Sequence, residues 1–216
     1  MEAMSSEPRS VKIGDNERGG WSSDRPRRAG EGERPPRKQD VSVRGRVLAP
    51  TDRMRYSPGS LLLIACADRP LRERFVKRVI EEQSAILSLD KLRALLQGRV
   101  PADELEAKAQ ALLDATASKR FAAGQTVVVP LETLSAVERE RYVRLAAVHR
   151  RARHLVLVEA GKDSVAEDDR AALSELRTAL DAGELGQEGF MTSLRVGGRM
   201  VDELKRIVFA PPPSDD

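Results

Sequence analysis

The sequence predicts an α/β domain with a mostly parallel five-stranded sheet, helices on both faces, and a disordered tail in front. Three observations carry this reading. From Ser60 onward, short apolar runs alternate with segments of helical period, the pattern of strands and helices that packs as a parallel sheet between two helical layers. The first run, 61–66, is continuously apolar, as a strand buried on both faces requires. Before residue 56 neither pattern occurs. Residues 24–38 read Asp-Arg-Pro-Arg-Arg-Ala-Gly-Glu-Gly-Glu-Arg-Pro-Pro-Arg-Lys, a composition that cannot bury enough surface to offset the entropy of ordering.

The first strand is expected over 61–66 (Leu-Leu-Leu-Ile-Ala-Cys). A helix follows, with Leu71, Phe75 and Val79 four apart and Val76 and Ile80 beside them. Residues 85–88 form an expected second strand, and 89–97 a short helix ended by Gly98. Pro101 opens a long helix to about residue 123, with Leu105, Ala109, Leu112 and Leu113 inward and Gly124 as its C-terminal cap. The third strand is 125–129, stopped by Pro130. Ser135 and Glu138 have capping-box spacing and start a helix to about residue 150. Strand four is 154–158, a helix spans 165–180 with Leu173, Leu176 and Leu180 on one stripe, and strand five is 191–196. Gly197 and Gly198 lead to a last helix, and three prolines at 211–213 to a frayed end. The organisation expected is therefore a tail (1–55), one domain (56–209) and a disordered end (210–216).

Charge separates tail from domain. The first 55 residues hold 13 Lys+Arg against 9 Asp+Glu, a net of +4, while the remaining residues hold 24 against 25, a net of −1. The basic tail suits weak, non-specific contact with nucleic acid or docking to a protein partner. A single cysteine, Cys66, excludes an internal disulfide and fits a reducing, cytoplasmic setting. No apolar run reaches membrane-spanning length, so no membrane partner is expected.

Three local patterns stand in a consistent order. Ser88-Leu-Asp-Lys-Leu-Arg93 follows the second strand. Residues 123–129 (Ala-Gly-Gln-Thr-Val-Val-Val) precede 134–139 (Leu-Ser-Ala-Val-Glu-Arg), and Glu188-Gly-Phe190 precedes the fifth strand. Together, over about residues 60–209, they resemble the kinase domain of polynucleotide kinases in the P-loop superfamily. That resemblance implies a phosphate loop, G-x-x-x-x-G-K-S/T, after the first strand. There the glycines admit backbone N–H groups to the phosphates, the Lys neutralises them and the hydroxyl holds magnesium. The corresponding residues here are Ala65, Cys66, Ala67, Asp68, Arg69, Pro70, Leu71 and Arg72. Both glycines are replaced, Leu71 stands for the Lys, Arg72 stands for the hydroxyl, and Asp68 brings a negative charge to the phosphate seat. The family's acidic D-A-T-N after strand three reads Pro130-Leu-Glu-Thr133, and no arginine-bearing lid is evident over 161–169.

The resemblance implies that Asp90 deprotonates a 5′-hydroxyl acceptor and that Arg93 positions the nucleic-acid end. With the donor loop dismantled, these two read as a vestigial acceptor side. The sequence thus points to a catalytically degenerate module for binding, regulation or scaffolding, with no cofactor expected. The alternatives are an active kinase using Mg-ATP through an atypical loop and a non-enzymatic nucleic-acid binder using its tail. Each residue also has a plainer reading. Asp90 suits a helix N-terminus and pairs with Arg93 at i, i+3. Arg69, Arg72, Arg74 and Lys77 form either a phosphate grip or a solvated helix face. Gly161, Lys162 and Ser164 lack the rest of a Walker A motif and read as a turn. His149 and His154 have no metal-ligand spacing, so no metal is expected. Cys66 reads as core, Glu188-Gly-Phe190 as a turn with a packed Phe, and Gly197-Gly-Arg199 as a loop needing positive φ.

Overall fold

The computed structural model describes Ser42–Val43 and residues 53–211. Among these the chain runs through β1 (Ser42–Val43), β2 (Arg53–Tyr56), β3 (Leu61–Ala65), α1 (Arg69–Val79), α2 (Leu89–Leu96), α3 (Leu105–Ala122) and β4 (Val127–Pro130). It continues through α4 (Ala136–Val148), β5 (Arg153–Val158), α5 (Glu167–Asp181), β6 (Thr192–Val196), α6 (Met200–Glu203) and β7 (Arg206–Phe209).

The architecture is α/β with parallel pairing throughout. β3 lies between β4 and β5, β6 lies outside β5, and the two-residue β1 runs along β6. A second sheet pairs β2 with β7, Met54 opposite Ile207 and Tyr56 opposite Phe209.

β3 is buried at every residue because its alternate side chains serve two cores. Leu61, Leu63 and Ala65 face a core with Leu113, Phe121, Tyr142, Leu176 and Phe190. Leu62, Ile64 and Cys66 face another with Phe75, Val79 and Ile207. The turn into β3 needs glycine. Gly59 has φ +72°, and a Cβ there would sit 2.6 Å from the Gly124 carbonyl oxygen.

The expectation of a single sheet is corrected: four of the five expected strands form the main sheet with the short β1 from the stretch assigned to the tail, β2 and β7 form a second sheet, and residues 85–88 do not form a strand. There the chain makes a 3-10 turn over Gln83–Ala85, with the Gln83 amide donating to the Ile80 carbonyl. Only Ile86 bridges to Val128 before α2 begins at Leu89. So short a run between two helical turns has no room for a ladder. The second sheet was not expected. Its β2 begins at Arg53, inside the stretch assigned to the tail, and β7 follows a last helix of one turn. The expected Gly caps are present, Gly98 and Gly124 having φ +72° and +74°, but α3 begins at Leu105 and not at Pro101.

Candidate functional site

Because the main sheet is parallel, the loops after β3, β4 and β5 share one rim. Open α/β sheets bind ligands at such a carboxyl-end rim.

The loop after β3 is closed by its own side chains. Asp68 is the N-cap of α1, and its Oδ1 accepts the Leu71 N–H at 2.8 Å. A helix N-terminus is where a phosphate would sit, and here the protein's own carboxylate occupies it. Pro70 contributes no N–H in that first turn. Leu71 packs against the core beneath α1. Arg72 turns inward, 3% exposed, and its Nη1 donates to the Leu131 carbonyl. Its Nε is buried with no hydrogen-bond partner. Ala65 is fully buried, and burial pushes the Cys66 thiol up, so Cys66 is packed and not an activated thiolate.

Arg69, by contrast, reaches out of the loop. Its Nη2 lies 2.5 Å from Asp90 Oδ1, and its Nε donates to Glu73 at 3.2 Å. The Glu73 hydrogen bond and then the Asp90 charge hold the Arg69 guanidinium above its usual range. Asp90 thus joins Arg69, the first residue of α1, to Arg93 on α2.

Arg93 is more thoroughly engaged than its i, i+3 pairing suggests. Nε and Nη2 donate to Glu106 at 2.7 Å each. Nη1 and Nη2 donate to the two oxygens of Glu132 at 2.7 and 2.6 Å, and Nη1 also donates to Asp90 at 3.1 Å. A guanidinium has five N–H donors, and these bonds use all of them. Glu106 and then Glu132 push the Arg93 pKa up, and Arg93 holds the Glu106 carboxyl low.

The other two motifs are joined through α4. Glu138 does not complete the capping box. Its N–H bonds Ser135 Oγ at 3.3 Å, but its carboxylate accepts the N–H groups of Glu132 and Thr133 at 3.0 and 2.7 Å. Arg139, 4% exposed, forms a two-bond pair with Glu188 at 2.8 and 2.7 Å and donates to the Leu134 carbonyl at 2.6 Å. Gly189 has φ +99° and Phe190 is buried. Glu188-Gly-Phe190 is therefore a half-buried clasp between α4 and the start of β6.

Other sequence candidates have local explanations. Arg74 and Lys77 are exposed on α1. Residues 162–164 form a 3-10 turn. Ser118 Oγ and His149 Nε2 lie 2.9 Å apart. Gly198, φ +57°, precedes the single turn of α6. Among the described residues no group of three or more His, Cys, Asp or Glu is arranged to hold a metal, and no helix is long and apolar enough to cross a membrane.

Glu106 and Glu132 were missed as site residues. They lie 13 and 39 positions from Arg93, and no local spacing links such distant partners.

No protein-family model matches the chain, and no curated protein matches it.

Proposed function

We propose that residues 56–209 are a P-loop kinase fold of the polynucleotide-kinase kind that has lost phosphoryl transfer and acts as a binding or regulatory module. The observation that carries this is the Asp68 carboxylate on the Leu71 N–H. Transfer depends on backbone donors, a Lys and a metal around the β- and γ-phosphates. Here a carboxylate fills the anion seat, an apolar side chain stands at the Lys position, and the side chain at the hydroxyl position points into the core. The acceptor side supports the same reading. Asp90 Oδ1 accepts from both Arg69 and Arg93, and the arginine that would meet a nucleic-acid end is spent on Glu106 and Glu132.

Mg-ATP tests this. A nucleotide bound with a Kd of about 10–100 μM, supplied at about 1 mM, would stabilise the native state by about 1.4–2.7 kcal/mol. For a domain of this size that is a rise of several degrees in Tm, on the order of 3–10 °C. The expected result is no shift, and no label transferred from ATP to a 5′-hydroxyl oligonucleotide. A shift of several degrees, with transfer that Asp90→Ala abolishes, would establish the active kinase instead.

A further inference from the structure

Beside Asp90 the surface opens into a cleft of about 370 Å³, within the range of small-molecule sites. Val76, Ile86 and Pro130 give it an apolar lining; α1 contributes Lys77, and the start of α2 contributes Ser88 and Lys91. Neither lysine has an ion-pair partner among the described residues. The Ser88 side chain does not cap α2, which leaves its hydroxyl available to the cleft. Two carboxylates, Glu73 and Asp90, also line it, but Arg69 bridges both. With Arg69 counted, three cations stand against two carboxylates, a net of +1, and two of the cations are ammonium groups on different elements around an apolar patch.

We propose that this cleft binds a small phosphomonoester with an aromatic body. A phosphomonoester carries close to two negative charges at neutral pH, which matches two lysines better than a carboxylate does. The ring lies on the apolar lining, and the Ser88 hydroxyl donates to a phosphate oxygen. The inference deepens the binding role proposed above by naming its ligand class. No residue of the phosphate loop lines the cleft, so the proposal can fail or succeed whatever Mg-ATP does.

Isothermal titration of the full chain with 1-naphthyl phosphate, without magnesium, tests it. Saturable one-to-one binding is expected, with 1-naphthol and inorganic phosphate each binding far more weakly. Lys77→Gln and Lys91→Gln should each lower the affinity about tenfold, the loss that follows from removing one charge-assisted hydrogen bond. Both side chains are exposed, and unchanged thermal melting would show that the variants fold. Adenosine 5′-monophosphate binding in place of the naphthyl ester, with the same lysine dependence, would support the proposal and identify the body as a nucleoside. Absence of binding by either ester would overturn it. So would affinity that survives the double variant, or inorganic phosphate binding as tightly as the esters.

Discussion

His154 should make the protein markedly less stable at pH 5 than at pH 7.5. Its side chain is 7% exposed at the start of β5. Its Nδ1 lies 2.8 Å from Thr192 Oγ1, Tyr56 lies over the ring at 4.4 Å, and Nε2 is buried with no partner. Charging this ring would put a cation where no group can receive its second N–H. Burial, with a smaller contribution from the Arg153 charge, lowers its pKa to about 4 from the usual 6.5. Between those values the unfolded chain binds a proton that the native state refuses, so stability falls as pH falls. Most of the loss lies between pH 6.5 and 4. Linkage over that gap gives about 2 kcal/mol by pH 5 and about 3 kcal/mol below pH 4. Urea unfolding of wild type and His154→Gln at several pH values isolates this contribution, because other titrating groups are common to both. The wild type should lose about 2 kcal/mol more than the variant between pH 7.5 and 5. Parallel pH profiles would refute the argument, by showing that His154 titrates alike in both states.

Two further substitutions test the frame. Arg139→Ala leaves Glu188 and the Leu134 carbonyl without their buried donor and should cost about 3 kcal/mol in urea unfolding; a loss under about 1 kcal/mol would mean that solvent replaces the pair. Gly59→Ala forces a Cβ against the Gly124 carbonyl at positive φ and should cost roughly 2 kcal/mol or more, seen as a lowered Tm; a neutral result would show that the turn relaxes.

The inner strands of the main sheet were legible because β3, β4 and β5 carry apolar runs, and burial on both faces demands that composition. The second sheet was not. β2 reads Arg-Met-Arg-Tyr and borders a stretch of similar polarity, so its alternation is too short to stand out; the burial of Met54 opposite Ile207 appears only once the two strands meet. At 85–88 the reading failed in the other direction. Apolar content was present, but pairing is decided by where α2 begins. The capping box was half right for a related reason. Ser135 caps locally, whereas the Glu138 carboxylate is taken by backbone donors that only the β4–α4 loop brings near it.

The site divides in the same way. Under the resemblance, departures from a phosphate loop are visible in the sequence, since each group of that loop has a defined chemical task. That Asp68 fills the seat, and does not merely repel a phosphate, needed the geometry of the cap. Arg93 is the harder case, because an arginine at an acceptor position invites the expectation of a phosphate contact. With all five donors on carboxylates, a phosphate could bind Arg93 only by displacing one of them, and Glu106 and Glu132 would then repel it. A nucleic-acid strand passing Asp90 toward Arg93 meets that acidic surround. The carboxylates around Arg93 therefore disfavour the strand contact that the sequence motif by itself points to.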